Sequence, residues 1–156
     1  MTIEPIDHRD PEVAGSIHPI LASGNVQEQA LLPGDPAPPT FPTVQSVAEG
    51  AQYFLGAIVD GALIGVICIG PDNEPGQLSI VALAVAAAHQ RQGVAAALVG
   101  ESVQRGGGAV FSVICGAGNH PALALYQGLG FVIYRRGRLG EAGPEMVKLR
   151  REVAPR

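Results

Sequence analysis

Apolar positions recur along the chain in two patterns, one with the period of a strand and one with that of a helix. Short apolar runs bounded by Gly, Pro, Asp or Asn predict seven strands, at residues 2–6, 53–59, 62–70, 77–85, 109–115, 131–138 and 144–150. Stretches with helical spacing and capping signals predict four helices, from Asp10 to about Ser23 and at residues 43–50, 93–105 and 121–129. The predicted order is β-α-α-β-β-β-α-β-α-β-β.

Turn residues separate these elements in a way that predicts how they connect. Asp60 and Gly61 lie between two apolar, β-branched runs, which predicts a type I′ hairpin. Residues 31–42 contain five prolines, which exclude a helix interior and a central strand, so this segment is predicted to be a loop. The strand at 77–85 is apolar at nearly every position, which predicts cover on both faces.

The strand at 77–85, the helix at 93–105 and the strand at 109–115 form a predicted βαβ unit. Its two strands should be parallel with a right-handed crossover. Ligands of such units bind at the carboxyl ends of the strands. The length of 156 residues fits one domain, residues 1–156, with a core of its own.

Composition and charge narrow the classes of partner. Apolar residues make up 47% of the chain but aromatic residues only 4%, so the core should consist mainly of small and branched aliphatic side chains. The net charge of −4 argues against a general nucleic-acid or anionic-membrane binder. No apolar run reaches the roughly 18–20 residues that span a bilayer, and residues 1–5 lack the basic start of a signal peptide, so a cytoplasmic location is expected.

The two cysteines, Cys68 and Cys115, lie in strand-like apolar runs without metal-type spacing. Buried, reduced, structural thiols are therefore expected. We predict no metal cofactor.

A turn with the sequence Gln90-Arg91-Gln92-Gly93-Val94-Ala95 joins an apolar strand to an apolar helix. The first N–H groups of a helix have no intrahelical partner, and together with the helix dipole they attract anions. Such a turn can bind a pyrophosphate, but many α/β proteins use a similar turn as a simple connection.

A second segment favours pyrophosphate binding over a simple connection. It starts at Asn119 and continues through Ala122, Leu125 and Tyr126 to Gly130 and Phe131. With the turn at Gln90, Gly93 and Ala95, this segment resembles the two conserved motifs of the GNAT superfamily of acetyl-CoA-dependent N-acetyltransferases. Ala87 stands where the family commonly has a proline. The resemblance implies a single α/β (α+β) domain with a mixed, mostly antiparallel, twisted sheet of about seven strands flanked by about four helices.

The resemblance also implies acetyl-CoA as co-substrate and a set of residues that bind it. Backbone N–H groups of Gln92, Gly93, Val94 and Ala95 would hold the pyrophosphate, next to Gln90. Leu83 and Val85 would pair with the pantetheine arm through their backbone. Arg91 would neutralise a phosphate, or it is only solvated. The last predicted contact is Asn119. Asn119 would bind the CoA arm, although helix capping alone also explains it.

Tyr126 is the predicted catalytic residue. In the family a tyrosine at this position protonates the leaving thiolate, and the alternative is a tyrosine of the core. For the general base, Glu74 is the carboxylate nearest in sequence before the strand at 77–85, which itself contains no acid. The alternative is that Glu74 is only a solvated carboxylate in a turn. Ser79, His89 and His120 are further proton-handling side chains, and an ordered water could also serve.

Three further arginines, Arg135, Arg136 and Arg138, follow Phe131. A solvated strand edge explains them, and contact with a cofactor phosphate or the acceptor is the alternative.

The predicted function is N-acetyltransferase activity, in which the acetyl group of acetyl-CoA passes directly to a primary amine of a small molecule or peptide. The alternatives are a non-catalytic acyl-CoA-binding or regulatory module on the same fold and, less favoured, a structural dimerisation unit. The partners are acetyl-CoA and an amine acceptor, without nucleic acid or membrane, and a homodimer is left open. In the family the acceptor cleft is bordered by the segments that correspond to residues 31–42 and 137–144.

Overall fold

The computed structural model describes residues 1–30, 53–138 and 143–151. The seven predicted strands are all present, with ends within one or two residues of the predicted ones. The elements in chain order are β1 (Thr2–Ile6), α1 (Pro11–Ala30), β2 (Tyr53–Val59), β3 (Ala62–Pro71), β4 (Gln77–Val85), α2 (Val94–Arg105), β5 (Val110–Gly116), α3 (His120–Gly128), β6 (Val132–Arg138) and β7 (Glu145–Arg151). A 3₁₀ turn at Ala87–His89 links β4 to α2.

The predicted end of the first helix near Ser23 is wrong. The helix starts as expected, with the Asp10 side chain accepting a hydrogen bond from the N–H of Glu12 at 2.9 Å, but it continues through an internal Pro19 to Ala30. The breaking tendency of Ser23 and the glycine after it is overridden by the helix-forming residues that follow. The predicted loop at 31–42 and helix at 43–50 lie outside the described residues.

The sheet has seven strands in the order β1-β2-β3-β4-β5-β7-β6. All neighbours are antiparallel except β4 and β5, which are parallel as predicted. The hairpin between β2 and β3 is also confirmed, because Asp60 and Gly61 both have positive φ, 50° and 78°, as a type I′ turn requires.

Helices cover both faces of the sheet. The helices α2 and α3 pack on one face, where Leu98, Phe111 and Leu149 are fully buried. The helix α1 packs on the other face, with Ile17 and Val66 fully buried between helix and sheet. The domain therefore has one core on each side of β3 and β4.

The prediction that β4 is covered along both faces is wrong at one position, Val81. Ile80 and Ala84 are buried, but the side chain of Val81 between them is 52% exposed. The register explains why, since Cys68 of β3 pairs with Ala82 and Ile69 pairs with Ile80, which leaves Val81 as the extra residue of a β-bulge. A bulge bends its strand and increases the local twist.

The bulge lies where β4 separates from β5. Their pairing begins at Gln77 and Val110 and ends at Ile80 and Val113, one residue before Val81. Beyond that point the described strands diverge and form a fork at the carboxyl end of both strands.

Gly65 on β3 allows α2 to approach this fork. A Cβ at Gly65 would lie 3.0 Å from Cγ1 of Val94 and 3.3 Å from Cδ1 of Leu98, closer than ordinary van der Waals contact. Since Val94 is the first residue of α2 and Gly65 pairs with Val85 at the end of β4, this contact sets the position of the helix N-terminus.

We expect Gly65→Ala to lower the free energy of unfolding by roughly 1–3 kcal/mol, because the added methyl overpacks the β3–α2 interface. Urea unfolding followed by circular dichroism would measure the change. Gly100→Ala is the matched control, since a Cβ at Gly100 of α2 meets nothing within 4 Å and alanine favours a helix. Equal or higher stability of Gly65→Ala would contradict the close contact.

Candidate active site

The fork between β4 and β5 is the mouth of a cleft of about 550 Å³. One wall is β4 from Ile80 to its end at Val85, and the opposite wall is β5 at Val113 to Cys115 together with α3. The backbone groups of β4 that face away from β3 have no strand partner beyond Ile80 among the described residues. They are therefore available to an extended ligand.

The N-terminus of α2 closes one end of the cleft. Its N-cap, Gly93, is in the left-handed region at φ 81° and ψ 10° and offers no side-chain cap. The first intrahelical bond of α2 joins the Ala97 N–H to the Gly93 carbonyl at 3.0 Å, so the N–H groups of Val94, Ala95 and Ala96 have no acceptor within the helix. Because these residues line the cleft, it contains a helix end suited to an anion.

Gln90 fixes the turn that leads to this helix end. Its side-chain Nε2 donates a hydrogen bond to the Val85 carbonyl at 3.1 Å, across the 3₁₀ turn. Arg91, the next residue, has a positive φ of 62°, which is uncommon for a residue with a side chain. The Gln90 hydrogen bond thus ties the turn to the end of β4, and within the turn Arg91 has a strained backbone.

The structure brings together most of the residues predicted to bind the cofactor. Those that line the cleft are Leu83, Val85, Gln90, Arg91, Gly93, Val94, Ala95 and Asn119. Gln92 is exposed and is not a lining residue. Its predicted contact was through the backbone N–H, so this role stays a prediction.

Asn119 is the N-cap of α3. Its side-chain Oδ1 accepts a hydrogen bond from the Ala122 N–H at 3.3 Å, and the residue is 8% exposed. The capping alternative is therefore present in the structure. The same residue lines the cleft, so capping and ligand contact are compatible.

Tyr126 has features of both roles that the sequence left open, a residue of the core and a residue of the active site. It is 5% exposed and packs edge-on against Phe131, with ring centroids 5.4 Å apart, as a core tyrosine would. It also lines the cleft opposite β4. A mostly buried tyrosine on the wall of a cleft could donate a proton without free access of water.

Among the lining residues that carry reactive side chains, Cys115 was expected only as a structural thiol, and His89 was named only as a further proton-handling side chain. Cys115 is 3% exposed at the wall of the cleft, and His89 lines it near α2. Cys115 is buried as expected of a structural thiol, and the other cysteine, Cys68, lies in the α1 core, where burial raises its pKa to about 12. No sequence pattern indicated that Cys115 lines the cleft, because this depends on the position of β5 beside the fork.

Glu74, the predicted general base, lies outside the cleft. It precedes Gln77 at the amino end of β4, whereas the cleft begins at Ile80 and extends toward the carboxyl end. Glu74 accepts a hydrogen bond from the Tyr134 hydroxyl at 3.0 Å and forms ion pairs with Arg135 at 3.1 Å and Lys148 at 3.6 Å. The Tyr134 hydrogen bond, aided by these positive charges, lowers the pKa of Glu74 and makes it a weaker base. Its catalytic role stays a prediction that this geometry disfavours.

The same network contains the most buried ion pair of the described residues. Both Asp72 carboxylate oxygens lie 3.0 Å from Nζ of Lys148, and the side chains are 5% and 12% exposed. Asp72 is in the β3–β4 turn and Lys148 is on β7, so the pair ties the turn across β5 at the closed end of the fork. Sequence patterns gave no signal for it, since the partners are 76 residues apart.

The described residues contain neither a metal-binding cluster nor a membrane-spanning helix. In residues 1–30, 53–138 and 143–151 no group of three or more His, Cys, Asp and Glu side chains could hold a metal ion. No helix in these ranges combines the length and the apolar character needed to cross a membrane.

Comparison with known proteins identifies the family. Residues 26–131, more than half of the chain, match the model of the acetyltransferase (GNAT) family. The chain therefore belongs to this family, as the two motifs had indicated. No curated protein sequence matches the chain.

Solved structures share the fold over most or all of the chain at low identity. An aminoglycoside 6'-acetyltransferase type Ii is 16% identical with a TM-score of 0.75, covering 100% of this chain and 99% of its own. The ribosomal-protein-S18-alanine N-acetyltransferase from Escherichia coli is 17% identical with a TM-score of 0.69, covering 99% and 95%. A protein from Bacillus anthracis strain Ames assigned as a streptothricin acetyltransferase, in complex with acetyl coenzyme A, is 18% identical with a TM-score of 0.61, covering 68% and 65%. At these identities the likeness establishes the fold alone.

We expect Asp72→Asn to lower the free energy of unfolding at neutral pH by roughly 1–3 kcal/mol, because it removes the nearer of the two carboxylates that pair with the mostly buried Lys148 ammonium. Burial raises the pKa of Asp72, but hydrogen bonds from Lys148 and from the Glu74 N–H more than offset this, so the pKa is lowered. A lowered pKa stabilises the fold above the unfolded-state pKa of about 4, and this stability is lost as the pH falls through the folded-state value.

The difference between wild type and Asp72→Asn should therefore shrink below about pH 4, as measured by urea unfolding over a pH series. Glu101→Gln is the control, since its exposed helical pair with Arg105 contributes at most about 0.5 kcal/mol. A difference that stays constant down to acid pH would show that the ion pair is not its source.

Proposed function

We propose that the protein is an N-acetyltransferase that transfers the acetyl group of acetyl-CoA directly to a primary amine of a small molecule or peptide. One observation carries this proposal: a fork between two parallel strands ends at a helix N-terminus whose cap is a left-handed glycine. The fork offers unpaired backbone to an extended arm, and the helix end offers N–H groups to a phosphate.

The described residues fit acetyl-CoA. The N–H groups of Val94, Ala95 and Ala96 suit the pyrophosphate. The space beside Gly93 is open, because a Cβ built there would meet nothing within 4 Å. Leu83 and Val85 lie on the strand whose unpaired edge would bond the pantetheine amides. When bound, acetyl-CoA would supply the activated acetyl thioester.

Within that arrangement, Tyr126 is our proposed general acid. A leaving thiolate must gain a proton, and a phenol remains protonated at neutral pH because its ordinary pKa, about 10, exceeds that of a thiol. The position of Tyr126 on the cleft wall opposite β4 supports this role, since a thioester held along β4 would bring its sulfur between the two walls. Its contact with Phe131 restricts the ring orientation.

The attacking amine must lose a proton before or during attack. None of the described lining residues is a carboxylate, and His89 is the one imidazole among them. Glu74, which precedes β4 and does not line the cleft, is held by Arg135 and Lys148. We propose that the amine reacts in its neutral form and that its proton leaves through water.

Transfer is proposed to be direct. Cys68, with a pKa of about 12, carries almost no thiolate at neutral pH and lies in the α1 core away from the cleft. Cys115 lines the cleft, but it is packed into the core. No acetyl-enzyme should therefore accumulate when the protein meets acetyl-CoA without an amine.

The alternative of a non-catalytic acyl-CoA-binding or regulatory module rests on the absence of a carboxylate among the described lining residues. Turnover separates the two, because a module would bind CoA without consuming acetyl-CoA in the presence of any amine. The cytoplasmic location and a homodimer stay predictions.

We expect Gly93→Val to weaken binding of acetyl-CoA at least tenfold in calorimetry, because the side chain would occupy the space of the phosphate and would force a β-branched residue into the left-handed region. Gly76→Val is the matched control. Gly76 has the same positive φ, 80° against 81°, and open space around its Cβ position, but it lies in the β3–β4 turn away from the cleft. Wild-type affinity in Gly93→Val would remove the phosphate site from α2.

We expect Tyr126→Phe to lower kcat roughly 100-fold with little change in acetyl-CoA affinity, since general acid catalysis typically contributes 10²–10⁴. A screen of primary amines that monitors release of free CoA would provide the substrate for the measurement. Tyr53→Phe serves as the control, because Tyr53 is 40% exposed on β2 and does not line the cleft. An unchanged kcat in Tyr126→Phe would end its assignment as the acid.

A further inference from the structure

The two strands of the fork each have one exposed side chain. It is Val81 on β4, 52% exposed, and Ile114 on β5, 55% exposed, whereas every other residue of these strands is buried or half-buried. Each is the residue directly after the last β4–β5 pair, which joins Ile80 and Val113. Both are apolar and both line the cleft. The opening of the fork is therefore bordered on each strand by an exposed apolar side chain.

The local structure explains why these two residues are exposed. Val81 is the extra residue of the β-bulge. Ile114 lies between Val113 and Cys115, which belong to the core under α2 and α3, so strand alternation places Ile114 on the other face of the sheet, the face that α1 covers elsewhere. One exposed apolar residue is ordinary on a protein surface, but two at the mouth of one cleft indicate a binding surface.

The apolar surface continues from Ile114 onto β7. A smaller groove of about 240 Å³, the side groove, is lined by Ile114, Met146 and Gly137 among others. Met146 is two residues before Lys148, the register partner of Ile114, so Met146 and Ile114 share a face. Met146 pairs with Gly137 on β6, where a Cβ would meet nothing within 4 Å. The side groove thus offers apolar contact and open space next to the fork.

The charges beside Ile114 neutralise one another. Lys148 and Arg135 lie on the same face, because Ile114 pairs with Lys148 and Lys148 pairs with Arg135. Nζ of Lys148 is 3.0 Å from the Asp72 carboxylate, and the Arg135 guanidinium is 3.1 Å from that of Glu74. An anionic ligand group at Ile114 would therefore have to displace a partner that each cation already has.

The other charged residues of the side groove do not alter this balance. Arg136 pairs with Val147, which is buried in the core under α2 and α3, so Arg136 and Arg138 belong to the face opposite Ile114. The described lining of the two cavities contains no acidic residue. A second positive charge on the acceptor would thus meet no carboxylate there, and an uncharged, apolar group matches the surface best.

We propose that the acceptor is a primary amine whose neighbouring group is uncharged and apolar, an aromatic ring or a branched alkyl chain, which packs on Val81 and Ile114 while the amine enters the fork. This inference rests on the proposed acetyl transfer and adds the class of acceptor. Packing of that group would remove apolar surface of both ligand and protein from water, which favours binding. A longer group would extend along the side groove toward Met146.

The test compares amines that share an aminoethyl group and differ in what it carries. 2-Phenylethylamine, ethanolamine, β-alanine and 1,3-diaminopropane carry a phenyl ring, a hydroxyl, a carboxylate and an aminomethyl group. We expect kcat/KM, followed by CoA release, to favour 2-phenylethylamine over each of the others by roughly tenfold or more, because it alone buries a large apolar surface. Equal or better use of any of the three polar amines would overturn the proposal.

The double variant Val81→Thr, Ile114→Thr should reduce that preference roughly fivefold or more, because threonine keeps a β-branched side chain but its hydroxyl is costly to cover with an apolar group. Val132→Thr is the matched control. Val132 is a 65% exposed β-branched residue of β6 that lines neither cavity, so its variant should keep the wild-type preference. A preference for 2-phenylethylamine that survives in the double variant would contradict the assigned contacts.

A second copy of the chain is another occupant that an exposed apolar surface can have. Sedimentation analysis of the wild type, the double variant and Val132→Thr distinguishes the two occupants. We expect the same mass for all three proteins. A smaller assembly in the double variant alone would assign Val81 and Ile114 to a subunit interface and would overturn the proposal.

A binding measurement separates this inference from the proposed function. Titration of 2-phenylethylamine and of ethanolamine into the protein with CoA bound, followed by NMR, does not depend on turnover. Tighter binding of 2-phenylethylamine that is lost in the double variant, without acetylation of any amine, would refute the catalytic proposal and support the apolar site. Acetylation of ethanolamine and 2-phenylethylamine with equal kcat/KM would do the reverse.

Discussion

The bulge at Val81 is the constraint on which the site depends. It follows directly after Ile80, the last residue of β4 that pairs with β5, and it bends β4 away from its parallel neighbour. The strand edge beyond it keeps polar backbone groups that a closed sheet would have paired, and such groups need another partner. The fork is thus a gap in the hydrogen bonding of the sheet, and an extended arm with amide groups can fill it.

Two sets of contacts hold the fork in shape from opposite ends. At the open end, Gly65 allows Val94 to approach β3, and Gln90 bonds the carboxyl end of β4, so the helix N-terminus cannot drift from the strand. At the closed end, the Asp72–Lys148 pair ties the β3–β4 turn to β7 across β5. The strands can separate at one end because the other end is fastened, and this keeps the opening local.

Much of the cleft was predictable from sequence because its signals are local. Gly93 and Tyr126 each lie in a short segment whose spacing is informative by itself, and the Asp60-Gly61 turn determines its hairpin. Val81 carries no such signal, since a bulge depends on the register with β3. Apart from Gln77, three residues away, the side-chain partners of Glu74 come from β6 and β7, at least 60 residues away, so its nearness in sequence to β4 gave no information about these charged contacts.

The distribution of charge bears on the proposed transfer to an amine. The cleft side has apolar walls and a helix end, and its described lining contains no carboxylate that would hold an amine in its protonated form. The cations next to Ile114, Arg135 and Lys148, are already paired with Glu74 and Asp72. For the amine acceptor that we propose, the apolar walls would lower the pKa by disfavouring the charged form. Such an environment would favour the neutral nucleophile and reduce the need for a dedicated base, which fits the place of Glu74 as a counter-ion for Arg135 and Lys148.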